Sequence, residues 1–286
     1  MTHLKGIPMQ FSHNQSMVLK EVEELQSRIP NLSFHRPHQS VSTGRLIPGC
    51  EICVRKGYLS FQLGFACNAS CPFCFLQVRP PGSADEDEPY HRRALLKRFH
   101  RQKDDIEGVS FTGGEPLLYL AELEECVREM RAVKPALHIW IYTNGILADR
   151  EHLQLLQDLT VQEIRFNLAA TGYGEKALRN LAQARQMFPH VAVEVPSYPP
   201  QRDRLMACLP ELERIGIDQL NLQELWVTPA NAKRLSGEGY QAGVLFAKKY
   251  FLYGSRRMTY EVMEHCVANN YSFTVNDCSA SEFGRN

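Results

Sequence analysis

No stretch of the 286 residues approaches the ~20 consecutive apolar positions that a membrane-spanning helix needs. The opening Met1-Thr2-His3-Leu4-Lys5-Gly6 carries no apolar signal core, so a cytoplasmic protein without a membrane partner is expected. Neither sign of charge is in excess, with 32 Lys and Arg against 32 Asp and Glu. That balance removes whole-protein attraction to polyanions, and no nucleic-acid partner is expected. A complete disulfide framework fits poorly with nine cysteines, an odd number. In a cytosolic chain of this size thiols more often serve metal or catalysis. Hydrophobic residues are not lacking. At 44% of 286 positions they suffice for one large α/β domain or two small ones.

Three of the cysteines stand together in Cys67-Asn68-Ala69-Ser70-Cys71-Pro72-Phe73-Cys74, directly after the apolar run Tyr58 to Phe65. No local fourth cysteine completes the C-x3-C-x2-C set. A structural zinc site wants four closed ligands, usually as two separated pairs, although a zinc knuckle or an incidental cluster remains open on spacing alone. An iron–sulfur cube held by three cysteines keeps one iron for an outside ligand. A strand followed by this cysteine loop, with an aromatic at Phe73, resembles the radical S-adenosylmethionine (radical SAM) superfamily. The resemblance implies that Cys67, Cys71 and Cys74 ligate a 4Fe-4S cluster, whose open iron chelates the amino and carboxylate groups of S-adenosylmethionine.

Along the chain, residues 16–28 read as an amphipathic helix with Val18, Val22 and Leu25 on one stripe, ended by Pro30. Residues 31–49 read as an irregular approach, and residues 79–89 as a Pro-, Gly- and acid-rich surface loop. Residues 91–102 read as a basic, exposed helix. Strands are then expected at Ile106–Thr112, Ala136–Tyr142, Val161–Leu168, Val191–Val195 and Ile217–Leu225. Helices are expected at 117–133, 149–159, 175–187 and 202–214, and again at Tyr260–Asn269. With Tyr58–Phe65 counted first, six strands alternate with helices. Six units are too few for a closed eight-fold barrel, so the fold class expected is α/β, an open partial (β/α)6 barrel of parallel strands. The expected division is an N-terminal, cysteine-bearing extension at 1–56, the core at 57–228, and a C-terminal extension closing the barrel mouth at 229–286. In such sheets ligands lie across the carboxyl ends of the strands, where each candidate motif falls.

Gly113-Gly114-Glu115-Pro116 follows the second strand. Glycines there let backbone approach a ligand, and a carboxylate can accept from an ammonium group. Taken alone, the same residues read as a turn into a helix, with Pro116 at its first position and Glu115 at its N-terminus. One β-α step after the cysteine loop, however, they resemble the superfamily's "GGE" motif, which holds the methionine end of S-adenosylmethionine. Gly49-Cys50-Glu51-Ile52-Cys53, Leu137 to Thr143, Glu163 to Phe166, Val193 to Pro196 and Leu220 to Leu225 recur in this order in a poorly characterised group related to pyruvate formate-lyase activating enzymes. Asn231, Gly239-Tyr240 and Cys278-Ser279-Ala280-Ser281 echo that group's later features.

The resemblance assigns the methionine end to Glu115 with the Gly113-Gly114 backbone, the adenine region to Phe73, and a ribose contact to Asn167. Phe73 reads equally as core packing. Glu194 and Glu224 point to one rim as candidate catalytic carboxylates, each paired with cofactor, substrate or a basic residue such as Arg165, or engaged in a structural ion pair. His138 reads as a satisfied core histidine. Cys50, Cys53 and Cys278 are expected to hold an auxiliary iron–sulfur cluster, with Cys266 a fourth ligand or a core residue. Cys126 and Cys208 read as buried helix residues. The family chemistry implies reductive cleavage of S-adenosylmethionine with electrons from a flavodoxin or ferredoxin. Residues 75–125 hold no cysteine, so the ferredoxin-like insert of some glycyl-radical activases is missing. The 266–278 region holds too few cysteines for the multi-cysteine domain of peptide-modifying relatives, and residues 1–48 cannot hold a cobalamin domain. A small-molecule or amino-acid-like substrate is therefore expected, with glycyl-radical activation as the alternative and a non-enzymatic iron–sulfur or zinc binding protein as a third reading.

Overall fold

The computed structural model describes residues 9–12, 15–35, 40–83, 92–237, 242–245 and 249–279. The acidic run at 84–89, His91, Gly239-Tyr240 and Ala280-Ser281 lie outside the described residues. The elements, in chain order, are β1 (Met9–Ser12), α1 (Gln15–Arg28), β2 (Ser33–His35), β3 (Ser40–Ser42), α2 (Pro48–Val54) and β4 (Tyr58–Gln62). Then come α3 (Arg92–Gln102), β5 (Gly108–Thr112), α4 (Leu120–Val133), β6 (His138–Thr143), α5 (Arg150–Asp158), β7 (Glu163–Phe166) and α6 (Glu175–Met187). The chain continues through β8 (His190–Ser197), α7 (Arg202–Ile215), β9 (Gln219–Glu224), β10 (Trp226–Val227) and α8 (Ala232–Gly237). It closes with β11 (Ala242–Leu245), β12 (Lys249–Leu252), α9 (Ser255–Ala268) and β13 (Thr274–Asp277). No helix among the described residues is long and apolar enough to cross a membrane.

The chain forms two compact units. One comprises residues 47–70 and 78–193. In it β4, β5, β6, β7 and the start of β8 pair side by side, all parallel, in the registers Phe61↔Phe111, Phe111↔Ile141, Ile141↔Ile164 and Ile164↔Val191. Those five residues form one apolar row across the sheet, and each is fully buried. Strands this apolar need cover, which the helices supply from stripes at helical spacing. Leu123, Cys126, Val127 and Met130 are buried on α4, Leu153 and Leu156 on α5, and Ala177, Leu181 and Ala184 on α6. Cys126 is thus an ordinary core thiol, as the helical spacing predicts.

The other unit comprises residues 1–46, 71–77 and 194–286. Val18, Val22 and Leu25 of α1 are buried as their spacing predicts. Two features here escape the sequence reading. A four-stranded sheet runs in the order β1-β11-β12-β10, with β1 parallel to β11 and β12 antiparallel to both its neighbours. Strand β13 adds a further parallel strand, pairing with β9 from Thr274↔Gln219 to Asp277↔Leu222, while β3 and β2 follow antiparallel. These strands are short, two to four residues apart from β9, too short for alternation to register.

At the N-terminal edge of the parallel strands in the 47–193 unit, Glu163 opens β7 and is fully buried. Its Oε1 accepts from Arg165 Nε at 2.6 Å, its Oε2 accepts from the Gly49 N–H of α2 at 2.8 Å, and His138 Nε2 lies 3.0 Å from Oε2. His138 is therefore the satisfied core histidine expected. Burial alone would push Glu163 up, but the Arg165 guanidinium, the His138 ring and the Gly49 N–H outweigh it and hold the carboxyl at about 2. Because the folded value lies below the usual 4.5, the contribution to stability is full above about pH 4.5 and is lost as pH falls toward 2. Replacing Glu163 with Gln leaves a buried guanidinium without its counter-charge. Urea unfolding at pH 7 should show a loss of about 3–5 kcal/mol, together with a flatter acid limb.

Candidate functional site

Backbone bonds that continue past the last paired residues tie the carboxyl end of β4 to that of β5, and the carboxyl end of β6 to that of β7. Leu63 N donates to Thr112 O at 2.9 Å, Gly114 N to Gly64 O at 2.9 Å, Glu115 N to Ala66 O at 2.8 Å, and Asn167 N to Thr143 O at 2.7 Å. The stem of the cysteine loop is thereby laid along the Gly113-Gly114-Glu115 segment. A Cβ on Gly114 would sit 2.0 Å from Ala66 O; Gly113 has a φ of +135°, and a Cβ added to it would sit 2.6 Å from Gly64 O. Both glycines are required by this close approach of backbone to backbone. Cys67 is held within it by its N–H to Arg79 O at 2.8 Å, and Tyr119 Oη accepts from Ala66 N at 2.7 Å.

Glu115 is the polar centre of this rim and is 0% exposed. Its Oε1 accepts from Thr143 Oγ1 at 2.8 Å and from Leu117 N at 3.2 Å, and its Oε2 accepts from Asn144 N at 2.7 Å. It caps the short 3-10 turn Pro116–Leu118 that leads into α4, so the turn-into-a-helix reading of this segment holds. Burial pushes the carboxyl up to about 7, against these three donors, which favour the ionised form. Asn144, 6% exposed, extends the network. Its Oδ1 accepts from Ile146 N at 2.9 Å, while its Nδ2 donates to Asn68 Oδ1 at 2.7 Å and faces Cys67 Sγ at 3.8 Å. Ala69 N also points at Cys67 Sγ, at 3.4 Å. Two N–H donors on one sulfur suit a thiolate, the form a metal binds, so Cys67 fits an iron–sulfur ligand. In the sequence, Thr143-Asn144-Gly145 reads as the close of the strand expected at Ala136–Tyr142. The sole available signal was two hydrogen-bonding residues and Gly145 at a parallel-strand exit. Gln62 Nε2, at the end of β4, is buried without a hydrogen-bond partner among the described residues, a donor that a bound carboxylate would satisfy. Asn167 follows β7 and caps the 3-10 turn Leu168–Thr171 through its Oδ1, to Ala170 N at 3.3 Å.

The remainder of the cysteine loop, residues 71–77, belongs to the other unit. Cys74 N donates to Cys71 O at 3.2 Å, which makes a tight turn. Arg234 Nη1 donates to Cys71 O at 3.0 Å, Asn231 Nδ2 to Phe73 O at 2.9 Å, and Thr228 Oγ1 to Phe75 O at 2.9 Å. The fully buried Asn231 was noted in the sequence only as an echo of related chains, and here it acts as the anchor of this turn. Burial raises the Cys74 thiol, partly offset by the Leu76 backbone and the Arg234 charge. Phe73 is buried with its ring 5.4 Å from that of Tyr198, the packing reading of that residue.

Of the two candidate carboxylates, Glu194 is half-buried and accepts from Asn221 Nδ2 at 3.1 Å. Glu224 accepts from Arg256 Nη2 at 2.8 Å, and Arg256 Nη1 lies 3.7 Å from Asp277 Oδ2. Burial opposes the charge on Arg256, but Glu224 and Asp277 raise its affinity for the proton. Arg165, named as a possible partner for these carboxylates, is bound by Glu163 instead. Cys50 and Cys53 lie on α2, at the N-terminal edge of the parallel strands in the unit whose opposite edge carries Cys67. Cys278 follows β13, its N–H donating to Leu222 O at 2.9 Å. Cys266 is buried on α9 with its thiol pushed by burial up to about 12, the core role. Cys208 is likewise a buried helix thiol on α7. None of the nine cysteines forms a disulfide. Among the described residues no three His, Cys, Asp or Glu side chains converge as a metal site.

The sequence profile of the radical SAM superfamily matches residues 61–206. A Methanocaldococcus jannaschii protein, provisionally named a glycyl-radical enzyme activating enzyme, is 24% identical over 208 residues, which cover 68% of this chain and 54% of that protein. Among solved structures, Streptococcus suis SuiB bound to the precursor peptide SuiA superposes with a TM-score of 0.57 at 14% identity, covering 91% of this chain and 61% of that one. SuiB bound to S-adenosylmethionine gives 0.53 at 15% identity, covering 92% and 60%. The chain thus spans between half and two thirds of the length of these relatives. The likeness to SuiB shows the fold: α/β, a partial barrel of mostly parallel strands.

The raised Glu115 value fixes the sign of a pH effect. The folded state binds this proton more tightly than the unfolded chain, whose carboxyl titrates near 4.5. Its contribution is full below about pH 4.5 and is lost as pH rises through about 7. Glu115→Gln should remove that slope, and should cost about 1–3 kcal/mol at pH 4.5 because a carboxamide turns an NH2 toward one of the three donors. Urea midpoints across pH 4.5–8 check both statements.

Proposed function

The chain belongs to the radical SAM superfamily, and on that basis we propose an S-adenosylmethionine-dependent radical enzyme with a 4Fe-4S cluster held by Cys67, Cys71 and Cys74, acting on a small-molecule or amino-acid-like substrate. The observation that carries the reading is the Cys67 sulfur, faced by two N–H donors on the strand rim that also presents Gly113-Gly114-Glu115. When bound, the cluster and the sulfonium supply a one-electron cleavage of a carbon–sulfur bond and a hydrogen-abstracting radical, chemistry beyond any side chain.

The chain's own residues hold and orient. Arg234 and Asn231 fix the Cys71–Cys74 turn by its carbonyls. Glu115 with the Gly113-Gly114 backbone takes the methionine end of the ligand, and three protein donors hold the Glu115 carboxylate in place for it. Gln62 Nε2 donates to the carboxylate of the same ligand, and Asn167 meets the ribose. Phe73 borders the adenine while packed on Tyr198. Glu194 and Glu224 are the carboxylates that meet substrate, Glu194 held by Asn221 and Glu224 by Arg256. A flavodoxin or ferredoxin supplies the electron. Cys50, Cys53 and Cys278 hold an auxiliary iron–sulfur cluster.

A second reading, activation of a glycyl-radical enzyme, is favoured by the name of the archaeal relative. It differs from the first in the substrate alone, a backbone glycine of a partner protein. The protein, reconstituted anaerobically with iron and sulfide and reduced with dithionite, should release 5′-deoxyadenosine and methionine from S-adenosylmethionine. The Cys67→Ala/Cys71→Ala/Cys74→Ala variant should release neither. Iron that remains in the triple variant marks the auxiliary cluster, and its absence removes that assignment. Turnover that appears only with a glycyl-radical partner, with a glycyl signal by electron paramagnetic resonance, selects the second reading.

A further inference from the structure

We infer that Asn144 is a positioning residue for the iron–sulfur centre: its side-chain amide hydrogen-bonds the sulfur of Cys67 and raises the reduction potential of the cluster bound there. The inference rests on the assignment of Cys67 as a cluster ligand. It adds a residue that neither the cysteine motif nor the glycine motif contains.

The geometry leaves the Asn144 amide little freedom. Its oxygen accepts from Ile146 N at 2.9 Å, an Asx turn, and that bond decides which end of the amide is the nitrogen. One Nδ2 proton is taken by Asn68 Oδ1 at 2.7 Å, and the nitrogen stands 3.8 Å from Cys67 Sγ, within hydrogen-bond range for sulfur. The main chain of the same residue is clamped by Asn144 N–H to Glu115 Oε2 at 2.7 Å, and Glu115 is clamped in turn by Thr143 and Leu117. Cys67 is fixed from its other side by its backbone bond to Arg79 and by the Ala69 N–H on its sulfur. Donor and sulfur are therefore both held in place before any metal arrives.

Hydrogen bonds to cluster sulfurs and their solvent exposure set the potential of such centres. Reduction adds one electron and so one negative charge to the cluster, with no bond made or broken and no proton moved. An N–H donor to a ligand sulfur therefore binds the reduced form more strongly than the oxidised form, and losing the donor makes the potential more negative. A single N–H···S bond of this kind should shift the one-electron equilibrium about tenfold, about 59 mV.

The test uses the reconstituted full chain, with dithionite as the one-electron reductant and redox mediators, and follows the reduced cluster by electron paramagnetic resonance. Asn144→Asp keeps the acceptor of the Asx turn and removes both amide protons, while Asn144→Ala removes the group altogether. Both should keep their iron and sulfide content and show a midpoint potential lower by about 59 mV, the Asp variant by at least as much because of its added charge. If one variant fails to fold by circular dichroism, the other carries the measurement. A potential equal to or above that of the unsubstituted protein, with the cluster intact, overturns the inference. If the unsubstituted protein binds no 4Fe-4S cluster, the functional reading fails first, and that result is distinct from an unchanged potential.

Discussion

The rim of the parallel sheet depends on a carboxylate that no solvent reaches. Glu115 lies between the exits of β5 and β6 and binds donors from three places: the Thr143 hydroxyl, the Asn144 backbone and the first turn before α4. Consecutive parallel strands are joined only through long crossovers, so nothing in the covalent chain fixes the height of one strand exit against the next. A buried acceptor with three donors does so, because any slip leaves a polar group without a partner in a dry interior. Gly113 and Gly114 belong to the same constraint. The carboxylate can reach inward only if the backbone before it lies flat on Gly64–Ala66, and a Cβ would prevent that.

This arrangement changes how the Gly-Gly-Glu motif is read. Described as a ligand-binding signature, it suggests a carboxylate reaching toward an ammonium group. In the structure the carboxylate accepts from three protein groups, the Thr143 hydroxyl and the Leu117 and Asn144 N–H groups. The motif and the helix-start reading of the same residues are thus two descriptions of one device. Glu115 caps the 3-10 turn with its side chain, and in doing so sets the position of the backbone at the strand exit.

The parallel strands were legible because each carries an apolar row long enough to register, Val109 and Phe111 on β5 and Ile139 and Ile141 on β6 being fully buried. The helices between them were legible from their stripes, and α6 matches its expected bounds at both ends. What escaped notice was short or polar. Strands β1, β2, β3, β10, β11 and β12 are two to four residues long, and no pattern of period two can be read from so few. The seven-residue helix α2 was hidden among prolines and glycines, which announce turns. Within the site, cysteine and glycine spacing exposed Cys67 and Gly113–Glu115. Asn144 stayed unnoticed because a single asparagine after a strand reads as a turn, and its importance lies in what it touches across the rim. Glu224 was legible as a buried carboxylate in need of a partner. Arg256, its partner, lies 32 residues on and carries no local signal.

The same unit buries two glutamates in full, and their proton affinities move in opposite directions. At the N-terminal edge, Glu163 is held at about 2 by a guanidinium, an imidazole and an N–H. At the carboxyl-terminal edge, Glu115 is pushed up to about 7 although it also has three donors. Burial is equal, so the difference lies in charge: Glu163 has Arg165 against it, whereas the contacts of Glu115 are a hydroxyl and two backbone N–H groups. A cation beside Glu115 would stabilise its ionised form further, yet it would stand where the functional reading puts a cationic ligand. The groups that donate to Glu115 at the strand exits are all neutral. Within this unit the arginine-backed Glu163 lies at the opposite edge, where it also accepts from the Gly49 N–H of α2. Two glutamates of equal burial at opposite edges thus differ in proton affinity because one faces a guanidinium and the other accepts only from neutral donors.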